Sequence, residues 1–231
     1  MLLLKKETQN LITMKIEFTE SQNQFRSEIR DWFSKNVPSK PLASFDTKEG
    51  FEEHREWEKT LNQGNWSMVT WPTEYGGRAL NLIEWLIFEE EYYRANAPAR
   101  VNQNGVFLLG PTLMEYGTDD QKSKFLSAMA EGDHIWSQGW SEPNAGSDMA
   151  AIRATAFRNN DTFIINGQKT WSSRAAFADW TFGLFRSDPE SERHRGLSFI
   201  LVPLDQKGVT VRPIPQLLSL IHISEPTRQA E

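Results

Sequence analysis

The residues best suited to chemistry lie in two short patches. The first is Gln138-Gly139-Trp140-Ser141-Glu142-Pro143-Asn144-Ala145-Gly146-Ser147-Asp148. An apolar and aromatic lead-in breaks into a turn of Pro, Asn, Gly and Ser, closed by an acid. Pro143 removes one backbone donor and Gly146 can take positive φ. The hydroxyls of Ser141 and Ser147, with the amides between them, suit an oxygen-rich anionic ligand, because clustered N–H groups form an anion-binding concavity. The second patch is Gln168-Lys169-Thr170-Trp171-Ser172-Ser173. Trp171 could cover one face of a planar heteroaromatic ring while the loop donors bond its edge. If Lys169 to Ser172 is a strand, Ser173 lies on the same face as Trp171 by the period of two. Each patch also has a plainer reading: a Ser/Asn/Gly turn, a core tryptophan and a solvated hydroxyl.

The elements that must position these patches divide the chain in two. Residues 1–14 read as an unstructured leader. Residues 15–133 read as an α-helical domain and 134–217 as a β-domain. Thr19 with Gln22 three residues on forms a capping box, and Phe25, Ile29, Trp32 and Phe33 follow at helical spacing up to Val37-Pro38. A second helix carries Phe51, His54, Trp57 and Leu61 to Gly64, with His54 as a packed core residue. Trp71-Pro72-Thr73-Glu74-Tyr75-Gly76-Gly77 is a compact loop. A long helix spans about Asn81 to Ala95, with Leu82, Trp85, Leu86, Phe88 and Tyr92 inward. Glu89-Glu90-Glu91 reads as a solvated face, since consecutive helix positions diverge. An apolar helix opens at Val106, and Asp119 caps another through Met129. Five helices with short connections suggest a bundle.

After Asp133 come short β-rich runs: Ile152 to Phe157, Thr162 to Ile165, Lys169 to Ser172, Trp180 to Phe185, Leu197 to Val202 and Val209 to Val211. Asn159-Asn160-Asp161 and Lys207-Gly208 read as turns between them, and Asn166-Gly167 as a hairpin turn. Strands without intervening helices predict an antiparallel sheet or barrel. From Leu218 the sequence shows no relation to what precedes it, and 218–231 resembles translated read-through of a sequencing adaptor.

The 231 residues carry a net charge of −6 with pI near 5.4, which argues against a nucleic-acid partner. The absence of cysteine excludes disulfides, thiolate metal sites and cysteine nucleophiles. No apolar run approaches a membrane span, and no secretory signal is evident. The expected setting is the cytoplasm of a bacterial-type cell or another soluble reducing compartment.

Gly139 to Asp148 resembles the signature of the acyl-CoA dehydrogenase family. Trp71-Pro72 with Tyr75-Gly76-Gly77, Tyr116-Gly117-Thr118-Asp119-Asp120-Gln121-Lys122, and Asn166-Gly167-Gln168-Lys169-Thr170-Trp171 fall in that family's order and spacing. The resemblance covers about residues 15–217. It implies an α+β multidomain architecture, truncated before a C-terminal helical domain, with FAD bound against the β-domain. It further implies that Gln138, Gly139, Trp140, Ser141, Gly146 and Ser147 run along the flavin, with Ser141 at the ring edge and Ser147 near both pyrophosphate and acyl-CoA. Trp171, Ser172 and Ser173 would form the second flavin segment, with the Ser173 hydroxyl near N5.

The implied reaction is α-proton abstraction from an acyl-CoA thioester with hydride transfer to the flavin. Electron-transfer flavoprotein is the implied acceptor and an oligomer the implied assembly; neither metal nor membrane is implied. Trp140 and Ser172-Ser173-Arg174 depart from the family's commoner aliphatic and Ile-Thr-Asn residues. No glutamate here matches the catalytic base, which the resemblance places in the C-terminal domain, so the chain alone is expected to be inactive; the motif gives Glu142, in the flavin loop, a structural role. The resemblance also places residues 99–113 near the floor of the acyl pocket, with Val106, Phe107 and Leu109 as candidate lining; plain core packing is the equal alternative for all three. A related flavin enzyme (an acyl-CoA oxidase or monooxygenase) and a non-catalytic α/β binding module are the alternatives.

Overall fold

A computed structural model describes residues 17–215 and 220–226, with side chains described for 17–214. The expected leader 1–14 lies outside the described residues. Helix α1 (Glu20–Asn36) starts at Thr19, whose hydroxyl accepts from Gln22 N while Gln22 returns the bond to Thr19 N at 2.9 Å. This is the expected capping box. Helix α2 (Lys48–Gln63) is capped by Thr47 and stops at Gly64, where a Cβ would come within 2.6 Å of the Trp32 ring. Helix α3 (Leu82–Arg94) starts at Asn81, boxed with Glu84. A π-helical turn (Gly105–Leu109) leads into α4 (Gly110–Tyr116), and α5 (Asp119–Ala130) follows. The cap of α5 is Thr118 rather than Asp119. Its hydroxyl reaches Gln121 N, which leaves Asp119 in the first turn facing the positive helix end.

The expected inward face of α3 needs correction. Leu82 and Leu86 are 72% and 40% exposed, whereas Ile87, Phe88, Glu91 and Tyr92 are buried. Glu91 is therefore no solvated residue. Arg26 and Arg30 of α1 and Arg94 of α3 all pair with its carboxylate. Burial pushes its acidity down, but the guanidiniums of Arg30 and Arg26 outweigh burial and hold its pKa below the usual carboxylate value. Helix pairing makes that possible, since α1 and α3 pack along their lengths.

The β-domain forms from β1 (Trp136–Gly139), β2 (Thr155–Asn159), β3 (Thr162–Asn166), β4 (Trp180–Arg186) and β5 (Leu197–Pro203). The sheet is mixed, which corrects the antiparallel expectation: β1 and β2 run parallel to β4 on one edge, and β5 runs antiparallel on the other. The physical reason is the long excursion from 140 to 179, which returns the chain to the sheet in its original direction as any parallel pairing requires. The hairpin turn is Asn160-Asp161, with Asn160 at φ 55°. Asn166-Gly167 is not one. Gly167 is instead packed so closely on Ala154 that a Cβ there would clash.

Strand β6 (Val209–Pro215) pairs antiparallel with β7 (Leu220–Pro226) in a separate two-stranded sheet. Part of the 218–231 segment thus has a backbone partner that sequence reading did not expect. An unpaired strand edge accepts another backbone without any side-chain relation. Residues 218–219 and 227–231 lie outside the described residues.

The two domains share one core, in which Met68, Trp71, Leu109, Phe125 and Met129 of the helical part pack with Trp136 and Phe182 of the sheet. Polar ties reinforce it. Asn102 Nδ2 donates to Met129 O and His134 O at 3.1 and 3.0 Å, and its Oδ1 accepts from Trp136 N. Arg55 of α2 pairs with Asp179 at 2.9 Å, and Asp179 also accepts from Ile135 N. His54 is buried between Ala99 O and Ala43 O, as a packed core residue.

Replacing Glu91 by Gln is expected to cost about 2–3 kcal/mol at neutral pH, at the low end for a buried pair because Arg30 and Arg94 remain half in water. A carboxylate whose folded pKa is lowered contributes stability above its unfolded value, near pH 4, and loses it as pH falls through the folded value. The gap between wild type and Glu91→Gln in urea unfolding should therefore close in acid; a gap that persists there overturns the ion-pair account.

Candidate functional site

Strand β1 carries Gln138 and Gly139 into the first patch. Gly139 pairs with Gly183 of β4, and a Cβ on it would lie 3.2 Å from Thr181 Oγ1. Beyond the strand, Glu142 and Ala145 exchange two backbone hydrogen bonds, at 2.8 and 3.1 Å, around Pro143-Asn144. That tight turn throws Gly146, Ser147 and Asp148 outward, and all three are exposed. Among the described residues the amides of Gly146 and Ser147 and the hydroxyls of Ser141, Ser147 and Ser173 make no hydrogen bond. The donors lie on the open side of the loop.

The second patch is brought against the first. Thr170 N donates to Ser141 O at 2.9 Å, and Lys169 Nζ donates to Trp140 O at 3.2 Å and to Glu142 Oε1 at 2.9 Å. Lys169 and Glu142 are buried, with side chains 2% and 8% exposed. Glu142 also accepts from Arg153 N and Ala154 N, at 2.7 and 2.9 Å. Burial pushes the Lys169 ammonium pKa down, and Glu142 opposes that shift. The Phe185 ring lies 5.0 Å from the ammonium. Sequence reading treated Glu142 as structural and did not see its partner. A lysine between a Gly turn and a tryptophan carries no local sign of burial; only the loop 27 residues away supplies it.

Lys169 to Ser172 is not a strand. Trp171 has φ 59° and Arg174 φ 73°, left-handed values rare for bulky residues, and residues 173–177 form turns. The shared strand face of Trp171 and Ser173 therefore disappears. Both are nonetheless exposed, Trp171 at 55%, while Ser172 between them is fully buried with an unpartnered hydroxyl. Trp140 is 37% exposed and Gln138 half-buried. The structure thus gathers Trp140, Ser141, Gly146, Ser147, Trp171 and Ser173 as accessible groups and withdraws Ser172.

A cavity of about 430 Å³ opens beside the 173–177 turn, lined by Trp85, Phe88, Tyr92, Gln103, Phe107 and Arg174 among others. Of the three pocket residues expected from the helix at 99–113, Phe107 lines it, whereas Val106 and Leu109 are buried in the core. The π-helical turn explains the split: its extra residue per turn re-aims Phe107 away from its neighbours. Among the described residues no group of three or more His, Asp or Glu could hold a metal, and no helix is long and apolar enough to cross a membrane.

Removing one member of the Lys169–Glu142 pair should leave an uncompensated buried charge. Lys169→Met and Glu142→Gln are each expected to cost about 3–5 kcal/mol in urea unfolding. The double variant should cost less than their sum, and strict additivity overturns the coupling.

The acyl-CoA dehydrogenase N-terminal domain profile matches residues 19–133, and that of the acyl-CoA dehydrogenase middle domain matches residues 137–224. The acyl-CoA dehydrogenase IpdE1 of Mycolicibacterium smegmatis is 44% identical over 210 residues, covering 84% of this chain and 54% of that protein. IpdE1 of Mycobacterium tuberculosis is 42% identical over 208 residues, covering 87% and 54%. Among solved structures, the Tcur3481-Tcur3483 steroid ACAD superposes with a TM-score of 0.79 at 31% identity, covering 94% of this chain and 57% of that one. The ChsE4-ChsE5 complex from Mycobacterium tuberculosis gives 0.77 at 33%, covering 93% and 55%. A glutaryl-CoA dehydrogenase from Mycobacterium smegmatis in complex with FADH2 shares the fold, with a TM-score of 0.67 at 21% identity. The chain spans about half the length of the curated relatives it matches. A helical region joined to a mixed sheet, two loops locked by a buried ion pair and two consecutive domain matches agree: the chain belongs to the acyl-CoA dehydrogenase family.

Proposed function

We propose that this chain forms the flavin-holding face of an FAD-dependent acyl-CoA dehydrogenase. The observation that carries the reading is the open side of the loop at 141–148, where free amides and hydroxyls face outward beside the exposed Trp171 ring. A flat heteroaromatic anion matches that donor set: an aromatic wall for its face, hydroxyls for its edge and free amides for its phosphates. Gly146 adds open space, since a Cβ there would meet nothing within 4 Å. When bound, FAD would supply the hydride acceptor for oxidation of an acyl thioester.

The chain's own residues would bind and orient. Gln138, Gly139, Trp140 and Ser141 would run along the ring, with Gly146 and Ser147 toward the phosphates and Ser147 also toward the acyl-CoA. Trp171 would stack and the exposed Ser173 hydroxyl would reach the ring edge. Ser172, being buried, would support the turn from beneath rather than touch the cofactor. The cavity with Phe107 would take the acyl group. Glu142 would not take the α-proton, because its carboxylate is engaged by Lys169 and two amides. Electron-transfer flavoprotein as acceptor and assembly with a like or related chain complete the proposal; a relative is named as the ChsE4-ChsE5 complex.

The test is an FAD titration of the chain by flavin fluorescence anisotropy. Weak binding is expected, with Trp171→Ala weakening it about tenfold, within the ~1–3 kcal/mol that stacking on an aromatic ring contributes. Because Trp171 is 55% exposed, its unfolding midpoint should hardly change. Equal FAD affinity in both proteins overturns the assignment of Trp171. Acyl-CoA-dependent dye reduction should be absent, and robust turnover would show that a base at this site has been overlooked.

A further inference from the structure

A buried carbonyl needs a donor, and in the turn that supplies Phe107 to the cavity one carbonyl finds it outside the helix. The stretch Gly105–Leu109 is in π register, and the Gly110 amide donates back to Gly105 O. In α register that amide would serve Val106 O, so it is already engaged. In π register the donor for Val106 O would be residue 111, which is Pro111 and has no N–H. Val106 is buried, and its carbonyl is left without a helical partner in either register. The indole of Trp71 fills the place: its Nε1–H donates to Val106 O at 2.9 Å.

The surroundings admit that bond closely. Gly110 has no side chain where a Cβ would lie 2.1 Å from the Trp71 ring. Behind the indole, a Cβ on Gly77 would lie 2.0 Å from Trp71 O, which also accepts from Ala79 N at 2.8 Å. Further along the turn, Leu108 O accepts from the Thr112 hydroxyl at 2.8 Å. Pro111 also disfavours the α register, because its ring would press on Phe107 O one turn back. A proline thus opposes one register and an indole supports the other.

The register decides which side chain meets the cavity. Phe107 lines it, 6.2 Å from Trp85 between ring centroids, while Val106 and Leu109 enter the core and Leu108 is exposed. A change of register would rotate all four about the helix axis. We propose that Trp71 is a positioning residue: its indole N–H holds the π turn and so fixes Phe107 in the cavity wall. The role concerns the shape of the cavity and holds for whatever ligand the cavity takes.

NMR of the full chain tests this. In the wild type the Trp71 indole proton should exchange with solvent as slowly as the core amides of α2, and the Phe107 and Trp85 rings should show mutual NOEs. Trp71→Phe keeps an aromatic ring in the core and deletes the donor. Those NOEs should then be lost. In urea unfolding the folding equilibrium constant should fall roughly ten- to a hundredfold, the size of leaving a buried carbonyl unpaired. Pro111→Ala supplies the missing main-chain N–H. In that background Trp71→Phe should cost several-fold less, because the lost ring volume is common to both backgrounds and cancels.

An equal cost of Trp71→Phe in the two backgrounds overturns the proposal, as do Phe107–Trp85 NOEs that survive Trp71→Phe. Where Trp71→Phe fails to fold, the wild-type indole decides. Slow exchange supports the bond, and exchange as fast as that of the exposed Trp171 indole overturns it.

Discussion

A buried ammonium–carboxylate pair ties together the two loops of the candidate site. Lys169 and Glu142 are taken out of water together, which is tolerable only where every remaining bonding position is filled. Glu142 meets this condition with the Arg153 and Ala154 amides, and Lys169 with the Trp140 carbonyl and the face of the Phe185 ring. The two buried charges are thereby satisfied inward, while the buried Ser172 hydroxyl makes no bond among the described residues. The unspent amides and hydroxyls are left on the outer side, where a ligand can use them. Satisfaction within and vacancy without are two sides of one arrangement.

The same logic holds the helical wall of the cavity. Glu58 of α2 takes the amides of Val101 and Asn102 as well as the Arg100 guanidinium, all at or below 3.1 Å. Asn102 then passes the constraint to Met129, His134 and Trp136, and so to the first residue of β1. The strand that delivers the first loop and the segment that lines the cavity are thus tied through one asparagine. The shared aromatic and aliphatic core fills in around it. Each fully buried Phe or Leu there contributes about 1.5–3 kcal/mol, enough to support the strained backbone at Trp171 and Arg174.

Much of the helical architecture was legible in the sequence because its signals are local. A Thr or Asn followed three residues on by Gln or Glu is a complete capping unit, and Thr19 and Asn81 begin helices where their neighbours say they should. The same signal was present at Thr118 and was misplaced by one residue onto Asp119. The turn at Asn160-Asp161 and the strands on either side were likewise readable. Asn166-Gly167 misled because the same dipeptide that suits a hairpin also suits a close backbone approach, here to Ala154.

By itself, the sequence determined the order of helices and strands, the donor-rich character of two patches and the family they resemble. These are properties of neighbours in the chain, carried by spacing and residue type. Only the tertiary structure decided that Glu91 is buried, that Lys169 faces Glu142, that the sheet is mixed and that Phe107 rather than Val106 meets the cavity. Each depends on which distant segment packs alongside, and a charge looks the same in sequence whether it will meet water or a counter-charge. Arg174 belongs with them: its place in the chain says only that it departs from the family's habit, while the fold leaves its guanidinium without an acid beside an aromatic cavity.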